Sequence, residues 1–194
     1  MTQFQIAEWN RRFIREEVKT GEICIDATAG TGRDTVFLAE LVGRSGRVLA
    51  YDIQQEALRQ TEERLRVGGF KERVDLFCKS HTRMGEDVQE NTIACIMFNF
   101  GYLPGGDHAI STKADTSIQA MKTGLKLLRP GGLMSLCIYS GGDSGHQEKE
   151  AILSFLKALD SHQFLAIVST YFNRNNHPPI PALVYKLGAA KRNS

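Results

Sequence analysis

No run in this 194-residue sequence stays strongly apolar for more than six residues, the longest being Ile93 to Phe98. A membrane-spanning helix needs about 18, so no span is expected. An apolar leader is missing too. Phe4, Ile6, Trp9 and Phe13 are interrupted by Arg11, Arg12 and Arg15, the pattern of an amphipathic helix. Both absences point to a cytoplasmic protein without a membrane partner. Cysteine is sparse. Cys24, Cys78, Cys95 and Cys137 stand far apart, with no CxxC metal or redox pattern. Each lies in an apolar, strand-like run, which reads as four buried free thiols. His81, His108, His146, His162 and His177 form no HExxH or His-x-His pairing, and no Gly-x-Ser-x-Gly elbow exists. No metal site is therefore indicated. Residues 161–194 contain no Asp or Glu but carry Arg174, Lys186, Lys191 and Arg192, on a chain of net charge +2. That region suits a polyanionic partner, and equally a solvated surface.

What is present is ordinary for one folded domain: 42% apolar and 24% charged residues. Residues 1–194 read as a single domain, with an N-terminal helix inside residues 1–20 and a core over residues 23–187. Helix 3–19 is followed by a strand from Ile23 to Ala27, a helix from Arg33 to Val42 and a strand from Arg47 to Tyr51. A helix from Gln54 to Val67 comes next, stopped by Gly68-Gly69, and then strands Arg73 to Cys78 and Ile93 to Phe98. Ala114, Ile118, Met121, Leu125 and Leu128 recur at spacings of 4, 3, 4 and 3, which marks helix 112–128, ended by Pro130-Gly131-Gly132. Strand Leu133 to Tyr139, helix His146 to Leu159 and strands Phe164 to Tyr171 and Ala182 to Leu187 complete the chain. This alternation predicts an α/β fold with a mostly parallel sheet and helices on both faces. The last two strands have no helix between them, so one antiparallel edge strand is expected.

In such sheets the ligand lies at the carboxyl ends of the strands. Asp26, Asp52, Ser80-His81 and Asn99 all stand at predicted strand ends. Asp26-Ala-Thr-Ala-Gly30-Thr-Gly32 joins a strand to a helix, and its glycines permit a tight turn and a close ligand. Asp52 follows Gly32 by twenty residues and can accept both hydrogen bonds of a ribose diol. The dinucleotide pattern GxGxxG would need glycine where Thr35 stands, and no Gly-Lys-Ser/Thr phosphate loop exists. Asp34 opens the helix instead. It would repel phosphate and suit a cationic ligand such as S-adenosyl-L-methionine, or else serve as a helix-dipole carboxylate.

Asp26 to Gly32, Asp52-Ile-Gln54 and Leu127-Leu-Arg-Pro-Gly-Gly132 resemble the motifs of class I (Rossmann-like) S-adenosyl-L-methionine-dependent methyltransferases. Nearly the whole chain is similar to a small bacterial family labelled rRNA methylases, and it resembles the tRNA wobble-uridine methyltransferases. The stretches that carry this likeness are Asp26 to Asp34, His81 to Met84, Asn99 to His108, Tyr139 to His146 and Asn173 to Pro181. The resemblance implies a seven-stranded sheet and S-adenosyl-L-methionine as cofactor. It implies that Thr28, Gly30 and Gly32 line the methionine portion, that Asp52 holds the ribose with Gln54 beside it, and that Ser80 and His81 approach the adenine. Asn99 would lie nearest the methyl group and the incoming nucleophile. Thr28 replaces the usual glycine of the first motif. The implied reaction is N-methylation of the 5-aminomethyl group of a wobble 5-aminomethyl-2-thiouridine, giving 5-methylaminomethyl-2-thiouridine. The implied partners are the anticodon region of tRNA and a second copy of the chain, as a homodimer.

Asn99-Phe-Gly-Tyr-Leu-Pro104 is similar to the Asn/Asp-Pro-Pro-Tyr/Phe motif of amino-methylating enzymes, with Phe-Gly in place of Pro-Pro. Tyr102 is a candidate base platform, whereas Phe100 continues an apolar strand. Asp107 and His108 are candidates to take or relay the amine's proton, and His146 is a further one. Each histidine also reads as a surface or capping residue, and Asp143 as a helix cap. Arg174 and His177 are candidates for phosphates or flanking nucleotides. The alternative substrates are an rRNA nucleoside or a small-molecule amine. A non-catalytic binding module is a third possibility, disfavoured by the intact Asp26–Gly32, Asp52 and Asn99 set.

Overall fold

The computed structural model describes residues 6–100, 113–139, 142–174 and 178–188, and the side chains of residues 6–7 and 142–144 are not part of that description. Seven strands form one sheet: β1 (Ile23–Asp26), β2 (Arg47–Asp52), β3 (Val74–Cys78), β4 (Ile93–Phe100), β5 (Leu128–Ile138), β6 (Phe164–Val168) and β7 (Ile180–Lys186). Their order is β3-β2-β1-β4-β5-β7-β6. β1 to β5 run parallel, and β7 is antiparallel to both β5 and β6. The antiparallel strand therefore lies one place in from the edge, and β6 is the outer strand of that antiparallel pair. Antiparallel neighbours need no crossover, so β7 can return beside β6 and fill the open side of β5.

β4 reads IACIMFNF, and it is buried up to Phe98 because both faces are covered. On one face α4 (Ala114–Leu127) and α5 (Gly142–Lys157) pack on Ile96, Phe98, Phe100, Met134 and Leu136. On the other, α1 (Ile6–Glu17), α2 (Arg33–Val42) and α3 (Gln55–Gly68) cover Cys24, Val48, Ala50, Cys95 and Leu133. The apolar face of α1 belongs to this core: Ile14 is fully buried, and Val18, just past the helix, is nearly so. Asn10 pins α1 in place. Its Nδ2 donates to Ser135 Oγ and to the Leu136 carbonyl, both at 3.0 Å.

Two expectations are corrected. Pro130-Gly-Gly does not separate helix from strand. β5 starts at Leu128, directly after α4, and absorbs Pro130 and both glycines in a register shift. A Cβ on Gly132 would sit 2.9 Å from the Arg129 and Ile93 carbonyls, so only glycine lets the bulge close. Cys24, Cys95 and Cys137 are buried free thiols, but Cys78 is exposed, because β3 is an edge strand. Lys186 Nζ donates to Asn91 and to the last carbonyls of α4, at the end of the sheet opposite Asp26 and Asn99. Among the described residues no helix is long and apolar enough to cross a membrane, and no group of His, Cys, Asp and Glu is arranged to hold a metal ion.

Candidate active site

The strand order reverses between β1 and β4, and a crevice forms at the carboxyl ends of such a pair. β1 ends in Asp26, which is fully buried. Its Oδ2 accepts from Thr35 Oγ1 at 2.6 Å, and Oδ1 accepts from the Thr28 N–H at 3.2 Å. Asp26 thus knots the following turn together, and Thr35 stands where a dinucleotide pattern has glycine because its hydroxyl is needed there. The α3 helix holds the turn from outside: Thr61 Oγ1 donates to the Gly30 carbonyl at 3.0 Å and Arg64 Nε to the Thr31 carbonyl at 2.7 Å. Gly32 has φ +78°, and a Cβ there would lie 2.9 Å from Thr61 Cα. Both the left-handed backbone and the contact with α3 require glycine.

Asp52 closes β2. Its two oxygens accept the Gly30 and Gln54 N–H groups, each at 2.9 Å. The carboxylate is fixed by backbone, and each oxygen keeps lone-pair capacity for a diol. Gln54 contributes its amide N–H and precedes α3. Ser80 accepts from the Thr82 N–H and opens the 3₁₀ turn His81–Glu86. His81 packs edge-on against Phe98 at 5.9 Å between ring centroids. Burial lowers its pKa, against the raising effects of the Ala27 carbonyl and Asp52, and so favours the neutral ring. Its Nε2 is buried without a protein partner.

Asn99, near the end of β4, reaches across the reversal. Its N–H donates to Thr28 Oγ1 and its Nδ2 to Asp34 Oδ2, both at 2.8 Å. The other oxygen of Asp34 accepts from Arg11 Nη2 at 2.6 Å and Nε at 3.2 Å. Asp34 is therefore not the open carboxylate at a helix start that its position suggests. It is already ion-paired to α1. Arg11 was missed because nothing in the sequence joins position 11 to position 34. The only local signal was Glu8 three residues earlier, which does pair with it at 2.7 Å.

Burial, then Asp34, then Asp52 push the Asp26 carboxyl up to about 7. Asp34 is neutralised by Arg11 and the buried Asp26 is held toward its neutral form, so Asp52 is the carboxylate of the three that a ligand's hydroxyl groups can meet. Ile53, 58% exposed, puts an apolar side chain directly after the Asp52 acceptor, and His81 adds its orphan polar atom. Together these residues fit an adenosyl group. A groove of about 510 Å3 between α3 and β3, walled by Leu58, Val74 and Leu76, includes none of them. Of the other candidates, His146 is exposed on α5, and Arg174 stacks on Tyr171 with 5.6 Å from guanidinium to ring centroid. Tyr102, Asp107, His108, His177, Lys191, Arg192 and the Asp143 side chain lie outside the described residues.

The sheet order, the reversal and the carboxylate after β2 define a class I methyltransferase fold. The chain belongs to the family described as "Putative rRNA methylase", whose pattern matches residues 48–185. It is similar to the crystal structure of an rRNA methylase of that description from Clostridium thermocellum, with 40% identity and a TM-score of 0.93 over 96% of this chain and 100% of that one. A methyltransferase from Streptococcus mutans, solved in complex with SAH, shares 34% identity and a TM-score of 0.85 over 94% of this chain and 98% of that one. The chloroplastic tRNA (mnm(5)s(2)U34)-methyltransferase of Arabidopsis thaliana is 38% identical over 177 residues, 87% of this chain. The chain spans 64% of that protein's length, and 51% of the length of a ubiquinone/menaquinone C-methyltransferase that it matches at 27% identity.

Proposed function

We propose that this protein is an S-adenosyl-L-methionine-dependent tRNA methyltransferase. In this reading it N-methylates the 5-aminomethyl group of wobble 5-aminomethyl-2-thiouridine in the cytoplasm, as a homodimer. The observation that carries the reading is the 38% identity, over 87% of the chain, to a protein named for that modification. The polar set at the β1/β4 reversal gives it a chemistry. When bound, the cofactor supplies a methyl group on a sulfonium, which departs as a neutral thioether once the amine's lone pair has taken the methyl. Asp52, Gln54 and the Gly30–Gly32 turn hold the adenosyl and methionine parts. Asn99 accepts an N–H of the neutral amine and aims its lone pair, which is the near-attack geometry that methyl transfer needs. Asp107 or His108 takes the proton that the amine sheds, and Tyr102 backs the base.

An RNA substrate is further supported by the loop after β6. β6 runs parallel to β4, so this loop leaves the sheet at the same edge as Asn99. Phe172 is fully exposed there, beside the Tyr171–Arg174 pair. Exposed aromatic rings next to arginine stack on unpaired bases. A second reading, methylation of an rRNA nucleoside, is favoured by the family's own description.

The test uses full-length protein of measured solution mass, labelled S-adenosyl-L-methionine and tRNA from cells lacking the gene, with nucleosides resolved by mass spectrometry. A methyl group gained on 5-aminomethyl-2-thiouridine is the expected result. Transfer to rRNA alone, or to neither RNA while S-adenosylhomocysteine binds, overturns the tRNA assignment.

A further inference from the structure

We infer that Arg11 is a positioning residue for methyl transfer, acting through Asp34 on the side-chain amide of Asn99. The inference rests on the reading that Asn99 faces the reacting amine.

Asp34 offers only acceptors, so the group of Asn99 that meets Oδ2 at 2.8 Å must be the NH2. Oδ1 is then the prong of the amide that has no partner among the described residues. That matters because a neutral amine presents N–H donors and needs an acceptor that leaves its lone pair clear. The flipped amide would offer a second donor and compete for that lone pair. What fixes the amide's sense is therefore the place and charge of the Asp34 carboxylate.

Arg11 sets both. Its Nη2 and Nε converge on Oδ1 of Asp34, which leaves Oδ2 for Asn99. The ion pair is mostly out of solvent, with side-chain exposures of 17% for Arg11 and 12% for Asp34, so its geometry is better defined than that of a surface pair. The guanidinium also bonds Glu8 and lies 4.8 Å from the centroid of the Phe37 ring. Asn10, the preceding residue, is tied to Ser135 on β5, and Ser135 is in register with Met97 on β4, two residues before Asn99. Helix α1 and the strand carrying Asn99 thus share one rigid frame. Without the cation, Asp34 would face Asp26 and Asp52 uncompensated and would turn toward solvent, releasing the amide to rotate.

The test compares Arg11→Met, Arg11→Lys and wild type in three measurements: steady-state transfer to the accepted substrate, S-adenosylhomocysteine affinity by calorimetry, and the Asn99 side-chain NH2 signals in protein labelled with 15N-asparagine. Misplacement by about 1 Å costs about 10²-fold. Arg11→Met is therefore expected to lose kcat by about 10- to 100-fold, with KM and S-adenosylhomocysteine affinity within about 3-fold of wild type. Arg11→Lys, which restores one charged donor, is expected to recover part of kcat. The Asn99 NH2 signals should shift and exchange faster in Arg11→Met. An unchanged kcat, unchanged Asn99 signals, or a loss of cofactor affinity that matches the loss of turnover overturns the inference. If Arg11→Met does not fold, Arg11→Lys carries the same comparison. The NMR readout needs no substrate, so it tests the Arg11–Asp34–Asn99 chain even if tRNA proves to be the wrong acceptor. The nucleoside assay on wild type tests the acceptor alone.

Discussion

The two halves of the sheet are built for different tasks. On the β1–β3 side, polar groups of the turn and of Asp52 are tied to one another, to α2 and to α3: Asp26 to Thr28 and Thr35, Gly30 to Asp52 and Thr61, Thr31 to Arg64. On the β5–β6 side large apolar and aromatic side chains stand exposed near the same edge, namely Tyr139, Val168 and Phe172, with Leu165 and Ile167 along the outer strand and the polar Thr170, Asn173 and Arg174 beside them. The first half is pre-organised for one small ligand. The second offers surface to a larger one. Asn99 stands between them, bonded to Thr28 and Asp34 on the first side and carried by a strand that pairs with the second.

Substitutions at the two ends should therefore separate cofactor from substrate. The largest effect is expected at Asp52→Ala, which removes the diol acceptor and leaves the Gly30 and Gln54 amides unpaired. Hydrogen bonds to a charged group contribute about 1.5–3 kcal/mol, so calorimetry should show S-adenosylhomocysteine affinity falling by about 10²-fold. Unchanged affinity would erase the division between the halves. A smaller effect is expected at Phe172→Ala. Loss of one stacked base at the low end of about 1–3 kcal/mol raises KM for tRNA by about 5-fold. Stability should stay within about 0.5 kcal/mol, because the ring is fully exposed. Equal kinetics for tRNA with either residue would remove the β6–β7 loop from the substrate half.

The smallest effect concerns Asp26. Its folded pKa of about 7 lies above the ordinary carboxylate value. Its contribution to stability is therefore present at low pH and is lost as pH rises from about 4 to about 7. Asp26→Asn lacks that loss, so the thermal destabilisation caused by the substitution should shrink between pH 4 and pH 8. A difference in Tm that stays constant across that range would show that Asp26 titrates normally.

The fold was legible because two signals agree along most of the chain. Apolar periodicity switches between strand and helix, and glycine stops the helices at Gly43 and Gly69. Arg33–Val42 and Arg47–Asp52 fall where the pattern puts them. What was not legible depends on partners distant in sequence. The order of β6 and β7, the exposure of Cys78 and the bulge after Leu128 follow from neighbouring strands. In the site, Asp26, Asp52 and Asn99 announce themselves as polar residues ending apolar runs. Arg11 does not, because its meaning comes from a helix packed on strands β5 and β7 and facing α2.

The anchoring of α1 also sets an order of assembly. Asn10 bonds Ser135 across 125 residues of sequence, and α1 packs on β7, which ends at Lys186. Within this sequence α1 meets Asp34 and Phe37 of α2 a short way on, whereas its dock on β5 and β7 lies far downstream. The apolar stripe of Ile14 and Val18 must wait in solution or in the care of a chaperone, and contacts this remote slow the final collapse. Because Arg11 rides on the same helix, the docking of α1 on β5 and β7 ties the place of this guanidinium to the far half of the sheet.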